Sequence, residues 1–212
     1  MSRWIVCVFL LSPAAFATAK AHVIAFGKWI SVQALGPGDE AKVSATKIRP
    51  LVVDGRVKEY ATGASHEVTD RMFVVRRVFR VNDSLPEDVA PHWQWQVGGW
   101  LLVDRATARV SVVNLPEFDA GNSAASWYRD YVAYCGVSDD GTKSYAIVAQ
   151  LARRKPILKK ALAGKVSEDG ASCSAPVWQR NPARVSFESG GEKQTFAIRG
   201  HLVDVVDDEE EE

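Results

Sequence analysis

Apolar and polar residues alternate with a period of two along most of this chain. Enriched in Val, Ile and aromatic residues, the alternation predicts extended segments over 22–32, 48–53, 72–81, 100–103, 109–113, 131–137, 144–150, 183–187 and 194–198. Asp54-Gly55, Gly98-Gly99, Asp140-Gly141 and Gly190-Gly191 punctuate them, supplying residues suited to the positive φ of tight hairpins. Helical periodicity is scarce. Two short helices are expected, over 122–131 and over 155–162, where Pro156 permits helix only from that point onward. Strand after strand without interposed helices predicts an all-β, mostly antiparallel fold.

Two hairpins have a more specific look. Residues Gly99 to Val113 form one; Tyr131 to Val148, turning at Ser138-Asp139-Asp140-Gly141, form the next. Together they resemble the outer hairpin of one β-propeller blade followed by the inner hairpin of another. The resemblance covers about a quarter of the chain and implies four or five blades of roughly 40 residues each. Residues 51–59 and 185–196 read as further hairpins, yet no repeat recurs at a fixed period. A β-sandwich or barrel is the alternative. The chain as a whole also resembles an uncharacterised family of secreted bacterial all-β proteins, a resemblance that implies no ligand and no chemistry.

The N-terminus changes the picture of where the fold is made. One Arg, an apolar run from Trp4 to Leu11, Pro13 and then small residues read as a secretory signal peptide over 1–21. The run of about eight residues is far below the roughly 20 that span a bilayer, so no transmembrane segment is expected in the mature chain. Small residues at spacing two place cleavage after Ala19 or after Ala21. Either cut removes Cys7 and leaves Cys135 and Cys173. In a secreted or periplasmic setting those two are expected to form a disulfide, closing a loop of about 39 residues and contributing roughly 4 kcal/mol by the chain-entropy model. Two buried free thiols are the alternative. None of the connecting segments is long enough for an interdomain linker. Residues 22–206 therefore read as a single all-β domain, followed by a disordered acidic tail over 207–212.

Charge is balanced over the whole chain, which removes the compositional hint of nucleic-acid binding. It is not balanced locally. From Lys20 onward, and leaving out the acid-rich end from Asp204, 25 basic residues stand against 19 acidic ones. Two clusters concentrate the excess. In the first, Arg76 and Arg80 share a strand face, while Arg71 and Arg77 point to the other. The second is Arg153, Arg154 and Lys155 with Lys159 and Lys160, a candidate for an anionic envelope component such as a phosphate, a lipid headgroup or an acidic polysaccharide. A solvated edge strand, where Lys and Pro discourage pairing, explains the same run.

Aromatic residues give the other candidate surface. Trp93 and Trp95 alternate with His92, Gln94 and Gln96, and Trp100 follows Gly98-Gly99. Flat apolar rings stack on the C–H faces of sugars, so a glycan is the ligand such a platform implies. Rings turned into a core would give the same alternation. Trp29, Trp127 and Trp178 read as core or interface packing.

Catalytic patterns are scarce. The chain has no Gly-x-Ser-x-Gly elbow and no Gly-rich phosphate loop. His66-Glu67-Val68-Thr69-Asp70 carries Asp70 where a zinc-protease helix has its second His. Asp139-Asp140 lacks the spacing of a calcium loop. One concrete enzymatic alternative exists. Cleavage after Ala21 would expose His22, whose amino group and imidazole, with His66, His92 or His201, would form a copper-holding histidine brace. The favoured expectation is a non-enzymatic binding or envelope-associated module without a cofactor.

Overall fold

A computed structural model describes residues 21–35, 43–120, 123–162, 173–200 and 202–206. The expected leader up to Lys20, His201 and the acidic tail from Asp207 lie outside them. Every regular element among the described residues is a strand. The two expected helices are not formed. Ala125–Tyr128 and Leu158–Ala161 are strands instead, each hydrogen-bonded to a longer neighbour. Tertiary pairing has overridden weak local helical signals. No helix among the described residues is long and apolar enough to cross a membrane.

The first half of the chain closes into a barrel. Strands β2 (Ile30–Leu35), β3 (Val43–Val53), β4 (Arg56–Thr69), β5 (Met72–Asn82) and β6 (Trp93–Asp104) follow one another as antiparallel neighbours. A short parallel pairing of β2 with β6, Ala34 beside Trp95 and Leu35 beside Gln96, completes the ring. The later part of β3 pairs with β1 (Ile24–Phe26), and the later part of β6 with β7 (Arg109–Val113). The expected strand over 22–32 is thus two strands on one side of β3. Leu51, Ala61, Phe73, Val75, Leu101 and Val103 form the buried cluster here, packed by Ile24, Phe26 and Val110.

Turn chemistry sets the hairpins. Asp54 and Gly55 take φ of 50° and 77° between β3 and β4, the left-handed pair a two-residue hairpin requires. Gly98-Gly99 is not a turn. It lies inside β6 at a bulge, where β5 advances from Arg76 to Val78 while β6 advances from Trp100 to Val97.

The second half forms two four-stranded antiparallel meanders. One is β8 (Ala125–Tyr128), β9 (Tyr131–Val137), β10 (Ser144–Gln150) and β11 (Leu158–Ala161). The other is β12 (Val177–Arg180), β13 (Ala183–Ser189), β14 (Glu192–Arg199) and β15 (Leu202–Val206). They pack face to face through Ala133, Cys135, Ala146 and Val148 against Val185, Phe187, Phe196 and Ile198. The opposite side of β9 and β10, with Val132, Tyr134, Ile147 and Ala149, is covered by Leu115, Phe118 and Trp127. Burial on both faces explains why 131–137 and 144–150 read as nearly continuous apolar runs. Cys135 and Cys173 are joined in a disulfide, with Cα atoms 6.3 Å apart. It ties β9 to the stretch before β12, where Cys173 also bridges Ser189 of β13.

The hairpins 99–113 and 131–148 are both present, as β6–β7 and β9–β10. They do not belong to four or five equivalent blades. One is part of a closed barrel and the other the centre of a stacked meander, so the barrel and sandwich alternative describes this chain. The absence of a fixed repeat in the sequence has this as its structural counterpart.

Candidate functional site

The bulge at Gly98-Gly99 decides which way the tryptophans face. In a regular strand Trp93 and Trp95 would oppose Trp100. The extra residue in β6 inverts the alternation. Trp93 stands opposite Asn82, Trp95 opposite Arg80 and Trp100 opposite Arg76, all even positions of β5. All three rings therefore share one face, away from Leu101 and Val103. A Cβ on Gly98 would lie 2.7 Å from the Phe79 ring, so this position has no room for a side chain without displacing Phe79.

Sharing a face does not make one platform. Trp93 is 57% exposed. Trp95 is half-buried, edge-on to Tyr60 at 5.0 Å, with the guanidinium of exposed Arg80 4.8 Å from its ring centre. Trp100 points into the junction with the second half of the chain. It meets Trp127 edge-on at 5.4 Å, and its Nε1 is buried without a hydrogen-bond partner among the described residues. The usable strip is Trp93, Trp95, Arg80 and Asn82. Gln94 and Gln96 project from the other face, where the Gln94 amide donates to Asp83. Polar groups beside the rings thus come from β5, not from the glutamines between them.

The arginine parity holds. Arg76 lies on the Trp100 face, 5.7 Å from that ring and 5.1 Å from Phe118, and donates to the Ala120 carbonyl at 2.7 Å. Burial pushes its pKa down, partly offset by Asp119. Arg77 on the opposite face pairs with Glu59 at 3.1 Å. Arg71, in the turn before β5, makes two 2.8 Å bonds to Asp104. That contact holds the Asp104 carboxyl well below the usual range.

The basic run does not form a single surface. Arg153, Arg154 and Lys155 are exposed in the turn between β10 and β11. Lys159 and Lys160 are adjacent in β11 and so project to opposite sides. Lys159 pairs with Glu117 over the Tyr145 ring, and Lys160 lies 5.5 Å from Phe196. β11 is the edge strand of its sheet, as the blander account of the run required.

The described histidines are dispersed. His22 Nδ1 is 2.8 Å from Asp54 Oδ2. His66 stacks on Trp127 at 6.0 Å, with Nε2 2.9 Å from the Arg129 carbonyl. His92 is exposed, 3.9 Å from Asp83. Among the described residues no three His, Cys, Asp or Glu side chains are grouped to hold a metal.

One site was not legible in the sequence. Trp29, read there as packing, is 47% exposed, and Ile30 beside it 45%. They line an open groove of about 800 Å³ with Ser31, Lys47, Arg49 and Thr62. Register decides which of them share a face. Ser31 stands opposite Lys47, with Arg49 two residues further along β3, whereas Ile30, Ile48 and Thr62 stand opposite one another and face the other side. The Arg49 guanidinium lies 3.7 Å from the Phe26 ring centre and 4.5 Å from that of Trp29. Trp127 and Trp178 do pack between sheets: Trp178 lies 5.4 Å from Tyr128, and its Nε1 donates to the Ser126 carbonyl at 3.0 Å.

Comparison with known proteins gave no match to a family model, to a curated sequence or to a solved structure.

Proposed function

We propose that this protein is an exported, non-catalytic binding module of the cell envelope or extracellular space, and that its ligand is a carbohydrate held on the Trp93–Trp95 strip. The observation that carries this reading is the pair of indole rings two residues apart on one strand face, one largely in water and the other backed by Tyr60 and flanked by Arg80. Exposing a ring of that size costs the burial it would otherwise gain, roughly 1.5–3 kcal/mol for a large apolar side chain. Spaced indoles suit the C–H faces of successive sugar rings, and Arg80 and Asn82 beside them donate to hydroxyls. The Cys135–Cys173 disulfide fits an oxidising compartment, as does a leader cleaved after Ala19 or Ala21.

A glycan array probed with wild type, Trp93→Ala and Trp95→Ala tests the ligand. Wild type should give a restricted set of signals, weakened at least tenfold in either variant. Equal signals from all three proteins would discard the strip. N-terminal sequencing of natively expressed material tests the compartment: an intact Met1 on cytosolic protein would refute export.

A further inference from the structure

We infer that the Trp29–Arg49 groove is a binding site for an acidic saccharide, a pyranose bearing a carboxylate, distinct from the Trp93–Trp95 strip and not resting on it. The argument begins with a contrast among the barrel's arginines. Arg71, Arg77 and Arg105 are each matched with a carboxylate of the barrel itself, from Asp104, Glu59 and Glu67 respectively. Arg49 is paired with no carboxylate among the described residues. Its hydrogen bond to the Gly63 carbonyl is a long one, 3.4 Å from Nη2, and its Nε is buried without a partner among the described residues. Instead the guanidinium is held between two aromatic rings, Phe26 and Trp29. Stacking of this kind fixes the plane of the cation while leaving hydrogen-bonding capacity at its edge.

Lys47 adds a second cation two residues along β3, hence on the same face, and among the described residues no Asp or Glu lines the groove. The remaining lining is what a sugar ring needs. Trp29 offers an exposed apolar floor against the Arg49 guanidinium. Ser31, opposite Lys47, supplies a hydroxyl on that face. A flat apolar face beside a fixed, uncompensated guanidinium and a mobile ammonium is complementary to a ligand with one ring face and one carboxylate. A neutral sugar would leave the cations unanswered, and a small inorganic anion would leave the indole unused.

The test is calorimetric titration of the full chain with oligomers of galacturonate, glucuronate and mannuronate, and with the methyl-esterified form of each. At least one acid oligomer should bind, and its ester at least tenfold more weakly. Arg49→Gln and Trp29→Ala should each weaken binding at least tenfold, and Trp95→Ala should leave it within twofold. Failure of all three acid oligomers, equal binding of the ester, or an Arg49→Gln variant within twofold of wild type would overturn the assignment. So would loss of binding in Trp95→Ala, which would place the ligand on the strip. Should Arg49→Gln be unfolded by near-UV circular dichroism, exposed Lys47→Gln decides in its place: a loss of threefold or more supports the site, and unchanged affinity overturns it.

Discussion

In the stacked meanders β9 and β10 are covered on both faces, whereas the barrel keeps Trp29, just before β2, Ile30 of β2 and Trp93 of β6 in water. The two regions also differ in how they hold charge. The barrel lays arginines over aromatic rings at Phe26, Trp29, Phe73, Phe79, Trp95 and Trp100. The meanders have fewer such contacts among the described residues, Arg129 on Tyr128, Lys159 on Tyr145 and Lys160 on Phe196, and add a covalent link. The lesson is a division within one chain of strands: β9 and β10 are packed on both sides, whereas the barrel leaves aromatic rings in water, and the proposed ligand surfaces lie there.

That division can be broken most forcefully in the meanders. Phe187 is fully buried between the sheets, edge-on to Phe196 at 5.9 Å. Phe187→Ala should cost about 3–5 kcal/mol in urea unfolding, whereas Trp93→Ala, removing an exposed ring, should stay within about 0.5 kcal/mol. Similar losses from both would erase the distinction. Next comes the covalent link. Replacing Cys135 and Cys173 together by Ala should remove about 2–4 kcal/mol, given the length of loop released, and leave ligand binding by the folded protein unchanged. A smaller effect is expected at Gly136. A Cβ there would lie 2.4 Å from Ile147 Cδ1 and 3.3 Å from the Glu117 carbonyl, whose oxygen accepts from Val137. Gly136→Ala should therefore cost about 1–3 kcal/mol by overpacking, and a melt unshifted from wild type would show that the segment at 117 yields freely.

The smallest effect concerns the β9–β10 turn. The hydroxyl of Ser138, with the amide and hydroxyl of Thr142, holds Asp140 down to about 2. A carboxylate depressed in the folded state stabilises fully above its ordinary range near 4 and loses that contribution as pH falls through about 2. Asp140→Ala should thus narrow the gap to wild type as the melt is moved from pH 5 toward pH 2. A gap independent of pH would argue against this turn as the source.

Strand content was readable because alternation and turn residues report local burial directly. Asp54-Gly55, Asp140-Gly141 and Gly190-Gly191 all lie in turns between paired strands. β4 was the largest strand to escape in its greater part. Its central Gly63-Ala64-Ser65 lacks β-formers, and Gly63, at φ of 68°, sits where the pairing with β5 slips. The short strands Ala125–Tyr128 and Leu158–Ala161 were masked by helical residues whose preference pairing overrules. Within the candidate site, the Trp93–Trp95 pairing came from spacing alone. The position of Trp100 did not, because a bulge is invisible to a period count. Neither did the groove, whose Trp29 precedes β2 while Lys47 and Arg49 come from β3.

The glycine bulge in β6 has a consequence for how this surface can change. One surplus residue reverses the phase of a strand, so that Leu101 and Val103 enter the buried cluster while the odd-numbered indoles upstream emerge on the far side. Deleting a single glycine would carry Trp93 and Trp95 round to the side of Leu101 and Val103. Point substitutions leave that phase alone. The number of residues between Trp95 and Trp100 therefore sets which side of the barrel the indoles take, and that spacing is the quantity that selection on such a surface would guard.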